Sequence, residues 1–351
     1  PAGRPFRKER HVSTVLQAPV IQTPSTQTGG VFRGFIPFAI LLSGLAVAPL
    51  ALSAYSTVLL VPVLAYGIAL LGMNVLFGYT GLLSFGHAMF LAIGAYASAV
   101  ATRQGILSFE LILLIAAASG GLFSLLIGAL CVRFTHIFFG VLTLAFGMLV
   151  HSFLFKFYDI TGGDQGMRVL RPSLMGIEWD MSATQFLGGP FFYYCLALYA
   201  LLGALTFRMV SSPLGLHLRA IRDNESKARY LGVQVYRLRL FAFVLSGMLG
   251  AIAGSILSIS TGLADPELAY WPQSGNLIFM LILGGATTFA GPGVGALIFV
   301  ILHEVLVSHT PYWRFMLGST LILLVLLLPD GLLGTLSRRL NLNGSARRKL
   351  P

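Results

Sequence analysis

The stretch LFAFVLSGMLGAIAGSILSISTG, residues 240–262, decides the fold of this chain. It carries no charged side chain, and at about 1.5 Å per residue it is long enough to cross a hydrocarbon core of about 30 Å as a helix. Small residues recur along it at four-residue spacing: Ser246, Gly250, Gly254 and Ser258. Because small residues let helix backbones approach closely in lipid, this span is predicted to be a buried transmembrane helix whose small face serves packing.

Composition extends this prediction to the whole chain. Of 351 residues, 56% are hydrophobic and 10% are charged, whereas a soluble domain is roughly a quarter charged. The sequence therefore predicts an all-α polytopic integral membrane protein of about ten transmembrane helices. The predicted spans are 35–54, 56–77, 83–101, 108–132, 136–157, 186–209, 240–262, 275–290, 292–309 and 313–328.

One part of this count has two interpretations. Glycines and a proline interrupt the apolar stretch 275–309 between Gly284 and Gly295. It can form two short spans, or one bent helix with a re-entrant piece, since irregular backbone is tolerated at membrane depth where protein covers it. The prediction is therefore 8–10 spans with interrupted, glycine-rich segments.

The charges predict an orientation. The net charge is +11, and the segment 208–239 holds seven basic side chains against Asp223 and Glu225. The segments 158–185 and 262–274 are mainly acidic. The positive-inside rule then places the loop 211–238 and both chain termini in the cytoplasm, with 158–185 and 262–274 outside.

Three regions of different composition are predicted. Residues 1–34 are polar and basic, which is typical of a disordered tail. This tail lacks the apolar core of a cleavable signal peptide, so the first span is expected to act as the insertion signal. Residues 35–335 form the transmembrane domain, and 336–351 form a basic cytoplasmic tail.

The residue types that support catalysis are sparse. Cys131 and Cys195 lie in or beside apolar spans and are predicted to be packing residues. No cluster of Cys, His and carboxylates has metal-ligand spacing, and no phosphate-binding loop of the GxxxxGK type is present. The chain is therefore predicted to bind no metal or cofactor and not to be an enzyme.

Two interrupted segments carry candidate functional residues. In GYTGLLSFGHAMF, residues 78–90, glycines and hydroxyls break apolar sequence where two spans meet, which is typical of backbone lining a cavity. The predicted path residues are Gly78, Gly81, Ser84, Gly86 and His87. A weak echo, GGATTFAG at 284–291, suggests a second broken segment from an internal repeat. On the acidic side, TGGDQGM at 161–167 predicts an external turn with Thr161, Gly162, Gly163 and Asp164.

The loop 213–232 is predicted to form a short helix outside the membrane. Its apolar side would carry Leu214, Leu218, Ile221, Ala228 and Leu231, and two ion pairs, Asp223 with Lys227 and Glu225 with Arg229, have i,i+4 spacing. A basic amphipathic helix on anionic lipid is the alternative. The acidic residues and alanines favour docking on a protein partner.

The sequence resembles the permease subunits of branched-chain amino acid ABC importers, of the LivM type. The resemblance rests on GYTGLLSFGHAMFLAIGAY at 78–96, TGGDQGM at 161–167 and LRAIRDNESKARYLGV at 218–233, continued by FAFVLSGMLGAIAG at 241–254. It extends through ILGGATTFAGPGVGA and LLPDGLLG and covers roughly residues 35 to 335.

The resemblance implies an assembly and a function. Such a permease pairs with a second homologous permease of the LivH type, two cytoplasmic ATPase subunits that hydrolyse ATP, and an extracytoplasmic solute-binding protein, in a bacterial plasma (inner) membrane. The cargo would be branched-chain amino acids, urea, amides or another small solute. By position, the ATPase-coupling residues would be Arg219, Ala220, Arg222, Asn224, Glu225, Ala228, Leu231 and Gly232.

Two rival functions are less favoured. An ion-coupled secondary transporter places carboxylates inside its spans, and the candidates here are Glu110 and Glu304. Glu304, beside His303, is more in keeping with a paired or interfacial carboxylate. A membrane-embedded enzyme would rely on histidines that have no catalytic spacing: His87, His136, His151 and His303.

Overall fold

The computed structural model describes residues 28–177, 179, 181–328 and 331–339, and these are mainly helical. The first part comprises α1 (Thr28–Ala51), α2 (Ala54–Val58), α3 (Val61–Asn74), α4 (Ala88–Arg103), α5 (Phe109–Cys131), α6 (His136–Lys156), α7 (Tyr158–Thr161), α8 (Ala183–Phe186) and α9 (Phe192–Val210). The second part comprises α10 (Pro213–Asp223), α11 (Glu225–Tyr230), α12 (Val235–Thr261), α13 (Trp271–Gly284), α14 (Gly291–His309), α15 (Trp313–Leu327) and α16 (Gly331–Arg339).

Short elements join the helices. Two π-helical turns extend them, at Val75–Tyr79 after α3 and at Leu187–Phe191 between α8 and α9. Two 3-10 turns lie at Gly163–Gln165 and Pro266–Ala269. Residues 1–27 and 340–351 of the predicted tails lie outside the described residues. Helix α1 begins at Thr28, within the predicted N-terminal tail, and α16 ends at Arg339, within the predicted C-terminal tail.

Each predicted span coincides with a helix, which confirms the all-α polytopic fold. Among the described residues, six continuous helices are long and apolar enough to cross a membrane, and three shorter apolar helices accompany them. The predicted span 83–101 begins late, at Ala88, because residues 80–87 are not helical. The helix predicted at 240–262 begins early, at Val235.

The surface of the helices is apolar, as lipid contact requires. On α5 and α6 most of the span is not buried by the rest of the chain, and the outward side chains include Leu122, Leu126, Phe138 and Val141. Lipid tails solvate such side chains without the penalty that water imposes. Burial in this protein is therefore decided by helix packing and not by hydrophobicity.

Helix α12 lies at the centre of the packing, against α3, α4 and α5. Its small residues are in contact with backbone of the neighbours: a Cβ at Gly72 of α3 would lie 2.8 Å from the Cα of Ser246. A Cβ at Gly254 would collide with the carbonyl oxygen of Leu91 on α4. The prediction of a buried α12 with small residues at its contacts is confirmed.

Hydroxyl groups reinforce this contact. Ser98 of α4 donates a hydrogen bond to the Oγ of Ser255 on α12 at 2.7 Å. Ser124 of α5 donates weakly to the carbonyl oxygen of Val244 at 3.4 Å. Hydrogen bonds between membrane helices add to close backbone packing, each by a modest amount of about 1 kcal/mol.

The stretch 275–309 forms two helices, α13 and α14, that fold back on each other. A Cβ at Gly295 would collide with the carbonyl oxygen of Met280, so glycine permits the close antiparallel approach. Gly285, at the break, has a φ of +108°, which an L-residue rarely adopts. Helix α14 is long and apolar enough to cross a membrane, whereas α13 has 14 residues, so the number of spans in this stretch stays a prediction.

The mainly acidic loops meet at one end of the protein. Strand β1 (Met167–Arg168) pairs in an antiparallel manner with strand β2 (Leu263–Ala264). The amide of Val169 donates a hydrogen bond to the carbonyl oxygen of Gly262 at 2.9 Å, which continues this pairing. Helices α10 and α11 lie at the opposite end of the helix bundle, and we call this end the loop end.

We predict that Gly254→Ala destabilises the protein, because its methyl group would force α12 away from α4. Overpacking of this kind costs about 1–3 kcal/mol. The melting temperature of the purified protein in detergent measures the effect. Gly44→Ala is the matched control, since a Cβ at Gly44 of α1 would meet no atom within 4 Å. Equal melting temperatures for the two variants would contradict the packing assigned to α12.

Candidate functional site

The first interrupted segment begins where α3 ends. The helix widens into the π-helical turn at Val75–Tyr79, and the chain then runs irregularly until α4 begins at Ala88. Thr80 Oγ1 donates to the carbonyl oxygen of Val75 at 2.9 Å, and the Leu82 amide donates to that of Leu76 at 3.0 Å. These bonds satisfy carbonyl groups that the break would otherwise leave unpaired inside the bilayer.

The five predicted path residues separate into two groups. Ser84, Gly86 and His87 are buried against other helices, and Gly86 is in contact with the Thr143 backbone of α6. Gly78 and Gly81 lie at the loop end, with Gly81 exposed. In this conformation the side chains of Ser84 and His87 have no accessible surface. Their place on a solute path stays a prediction.

His87 is the centre of a buried polar cluster. Its Nε2 lies 3.0 Å from the Oγ of Ser246 on α12, and the amide of Ala88 donates to Ser274 Oγ on α13 at 3.0 Å. Ser84 Oγ and His87 Nδ1 have no hydrogen-bond partner among the described residues. No local pattern predicts the contact with Ser274, because this residue is 186 positions from Ala88 in the chain.

The second interrupted segment, residues 285–290, lies against the first. A Cβ at Gly78 would lie 2.5 Å from the carbonyl oxygen of Ala286. Asn74 Nδ2 donates a long hydrogen bond, 3.4 Å, to the carbonyl oxygen of Thr288. The two breaks in the helices therefore meet at Gly78, a contact that sequence analysis missed. Their origin in an internal repeat stays a prediction.

The loop 213–232 forms two helices, α10 and α11, and the prediction of a single short helix is wrong. The chain leaves helical geometry at Asn224, whose φ is −161°, and this residue caps α11. Its Oδ1 accepts a hydrogen bond from the Lys227 amide at 2.9 Å. Asn favours this position because its side chain satisfies a free amide of the first helical turn. Asn224 is thus a structural cap.

The apolar side of the loop faces the chain itself. Leu218, Ile221 and Ala228 are buried, the last two against Val235 at the start of α12. Ala228 therefore offers no surface for a partner in this conformation, and the predicted ATPase contact is corrected here. Leu231, predicted on the same side, is 82% exposed.

Three large apolar side chains of this loop are exposed, one on α10 and two at the C-terminal end of α11. They project from the loop end: Leu216, Tyr230 and Leu231, which we call the exposed apolar face. Gly232 beside them is exposed and has a φ of +84°, so it allows the chain to turn after α11. Ala220 is half-buried against the cluster of Ile221 and Ala228.

Glu225 holds α11 against α12. Its carboxylate accepts a hydrogen bond from Arg229 at 2.7 Å, as predicted, and a second from Arg239 of α12 at 2.8 Å. Partial burial raises the pKa of Glu225, but the hydrogen bonds and charges of Arg239 and Arg229 outweigh this, so the pKa lies below its usual value. The carboxylate is therefore charged at neutral pH.

The other predicted ion pair is wrong. Asp223 pairs with its neighbour Arg222, at 3.3 Å, and not with Lys227. The break at Asn224 removes the helical spacing that would bring Asp223 and Lys227 together. In the sequence, Arg239 counts only as one of the basic residues of segment 208–239. In the structure it is the most buried of these cations.

Two arginines of α10 are in contact with the beginning of the first interrupted segment. Arg222 Nη1 donates a hydrogen bond to the carbonyl oxygen of Gly78. The guanidinium of Arg219 lies 5.1 Å from the centre of the Tyr79 ring, in cation–π geometry. The loop 211–238 and the predicted path segment are therefore in direct contact, through two residues that are 144 positions apart in sequence.

The turn at 161–167 lies at the other end of the helices. Thr161 is buried, and its Oγ1 donates to the carbonyl oxygens of Leu154 and Phe157 at 2.6 and 2.7 Å. Gly162 and Gly163 have positive φ values of 76° and 58°. Asp164 is exposed, as is Gln165 beside it. The glycines and the buried threonine hydroxyl thus build a fixed turn beside β1.

The carboxylates of the secondary-transporter alternative are not held inside the helix bundle. Glu304 is exposed on α14. Glu110 Oε1 accepts a hydrogen bond from the Met175 amide at 2.9 Å, near the end that carries β1. Within the described ranges no group of three His, Cys, Asp or Glu residues could hold a metal ion.

We predict that Glu225→Gln loosens α11 because it leaves the buried Arg239 without its counter-charge. Removal of one partner from a largely buried ion pair is strongly destabilising. Because Glu225 is partly exposed, we expect a smaller loss of about 1–3 kcal/mol, read as a lower melting temperature.

The matched control is Asp223→Asn, whose ion pair is exposed and should contribute less than about 1 kcal/mol. The double variant Glu225→Gln with Arg239→Met should recover stability, since it removes both charges. A double variant no more stable than Glu225→Gln alone would contradict the pairing.

Comparison with known proteins identifies relatives along most of the chain. The sequence profile of the family described as branched-chain amino acid transport system / permease component matches residues 55–326. The permease protein LivM of a high-affinity branched-chain amino acid transport system from Escherichia coli K12 is 30% identical over 296 residues, which cover 79% of this chain and 70% of the relative.

More distant relatives extend the picture. The permease protein LivH of the high-affinity branched-chain amino acid transport system from Salmonella typhimurium is 24% identical over 292 residues, 77% of this chain and 91% of its own. The ribose import permease protein RbsC from Haemophilus influenzae is 30% identical over 132 residues, 35% of this chain and 40% of its own. No solved structure matches the chain significantly.

Proposed function

The chain belongs to the family of permease components of branched-chain amino acid transport systems, and we propose that it carries branched-chain amino acids or a similar small solute in an ATP-driven, binding-protein-dependent importer. The observation that carries the proposal is the direct contact of α10 with the interrupted segment at Gly78. A permease driven by a partner ATPase needs such a link between the loop that contacts the ATPase and the helices that line the solute path.

The partners follow from the family and from the geometry. Similarity to both LivM and LivH proteins indicates a paired permease. We propose that the second subunit is of the LivH type, and that two cytoplasmic ATPase subunits and an extracytoplasmic solute-binding protein complete the assembly. This chain would then bind no cofactor and catalyse no reaction, because ATP is hydrolysed by the ATPase subunits.

The exposed apolar face is the proposed contact for the ATPase. Tyr230 is 92% exposed and Leu231 is 82% exposed, although both lie in an otherwise ordered two-helix loop. Large apolar side chains exposed together outside lipid are typical of a protein contact. Among the predicted coupling residues, Leu231 and Gly232 belong to this contact, whereas Arg219, Arg222, Asn224, Glu225 and Ala228 hold the loop in place.

The charges support a place for each end of the helices. The loop end carries the basic side chains of 208–239, which favours the cytoplasmic side. The paired loops around β1 and β2 would then face the solute-binding protein. We propose a multi-pass protein of a bacterial plasma (inner) membrane with both termini in the cytoplasm.

Reconstitution tests this function. The purified assembly in proteoliposomes, supplied with binding protein and ATP, should accumulate labelled leucine, isoleucine or valine. Omission of this chain should abolish accumulation and the part of ATP hydrolysis that solute stimulates. Uptake by the chain alone under a proton or sodium gradient would instead support a secondary transporter and refute the proposal.

We predict that Leu231→Asp lowers co-purification of the ATPase and lowers uptake by tenfold or more. A buried apolar contact residue at an interface can contribute about 2 kcal/mol or more, and an aspartate there would also be desolvated. Both quantities are normalised to the permease in the membrane. The protein fold should persist, because the Leu231 side chain is mostly exposed.

Leu170→Asp is the matched control for this prediction. Leu170 is 44% exposed and lies beside β1, away from the loop end. This change should leave co-purification of the ATPase unaltered. Normal co-purification and normal uptake in Leu231→Asp would contradict the ATPase contact and would support contact of the exposed apolar face with lipid.

A further inference from the structure

The carbonyl group of Gly78 lies at the free end of an interrupted helix. Carbonyls in the last turn of a helix lack partners within the helix and carry partial negative charge. Arg222 Nη1 donates to this carbonyl from α10. A cation at this position satisfies the hydrogen bond and the helix dipole together.

The geometry around Arg222 fixes where its guanidinium points. Asp223 Oδ1 accepts hydrogen bonds from its Nε and Nη2, both at 3.3 Å. On the other side, a Cβ at Gly81 would lie 3.0 Å from Arg222 Cγ, and Gly81 has a φ of +79°. Glycine at 81 therefore lets the turn fold under the arginine side chain. Tyr79, beneath Arg219, supports the same turn.

The opposite side of this turn carries the second break. Ala286 is packed onto Gly78, and Asn74 is hydrogen-bonded to Thr288. The turn at Gly78 is thus held between α10 on one side and residues 285–290 on the other. A displacement of α10 that moved Gly78 would also move the second interrupted segment.

Fixed contacts connect the two helices of the loop to each other and to α12. Asn224 caps α11 against α10, and Glu225 ties α11 to Arg239 of α12. Force applied at Tyr230 or Leu231 therefore reaches α10 through fixed contacts, and reaches the interrupted segments through Arg222.

We propose that Arg222 is the positioning residue that transmits movement of α10 and α11 to both interrupted segments. This inference rests on the proposed function, because it assigns the link between the ATPase contact and the solute path. The competing role is that of a purely structural helix cap. A cap would change stability without changing the amount of solute moved for each ATP hydrolysed.

The ratio of solute transported to ATP hydrolysed separates these roles. It is measured with the complete importer in proteoliposomes for the unaltered chain, Arg222→Ala and Arg222→Lys, at equal permease content. Arg222→Ala should lower the ratio by about tenfold, the population change expected when one charge-assisted hydrogen bond is lost. Arg222→Lys keeps a cation and a donor and should recover a large part of the ratio.

Arg237→Ala is the matched control, since Arg237 is an exposed arginine on α12 of the same region. Its ratio should equal that of the unaltered chain. An unchanged ratio in Arg222→Ala, or an equal loss in Arg237→Ala, would overturn the inference. Absence of ATP-dependent uptake by the unaltered importer would instead refute the proposed function.

A second measurement follows the movement directly. Thr287→Cys places a thiol at the exposed position of residues 285–290, and the native Cys131 and Cys195 are buried. In the complete importer, trapping nucleotide on the ATPase should change the labelling rate of this thiol by a small polar maleimide. In the Arg222→Ala background this change should be lost. A nucleotide-dependent change that persists in Arg222→Ala would overturn the inference even if that variant is less stable.

Discussion

Close backbone packing along α12 is the constraint on which the rest of the structure depends. Lipid tails solvate apolar side chains as well as other helices do, so helix association relies on dispersion contacts and interhelical hydrogen bonds. Glycines of α3, α4 and α5 bring their backbones against α12, as at Gly72 and Gly94. Of these helices, α3 and α4 flank the first interrupted segment. The position of the candidate path is therefore set by contacts with α12.

Irregular backbone within a membrane domain requires partners for each freed amide and carbonyl. The chain meets this requirement with hydroxyl groups and amides of neighbouring elements: Thr80, Thr143 and Ser274 bond to the first interrupted segment, and Asn74 bonds to the second. Arg222 supplies the partner of the Gly78 carbonyl. Because several of these partners lie on different helices, the two breaks form one connected region, and a shift of one element alters the hydrogen bonds of the others.

The loop end shows how buried charge and exposed apolar surface divide their roles. Arg239 is buried and is paired with Glu225, an arrangement that fixes orientation while adding little net stability over apolar packing. Leu218, Ile221 and Ala228, which the helical pattern places on a partner-facing side, are covered by the chain itself. The surface left exposed for the proposed ATPase contact is smaller and surrounds Tyr230 and Leu231. Glu225, which the sequence predicts at that contact, instead joins α11 to α12 through Arg239.

The sequence by itself determined the class of protein, the approximate position of each span and the two breaks, because hydropathy and glycine content report directly on the lipid environment and on backbone freedom. It also indicated the family, through motifs such as those at 78–96 and 218–233. Tertiary structure alone decided which residues meet: Gly78 with Arg222, Asn74 with Thr288 and Glu225 with Arg239. The first two pairs lie 144 and 214 residues apart. Local periodicity carries no information on such pairs, because helix packing through small residues sets them and that packing is fixed only when the whole bundle is assembled.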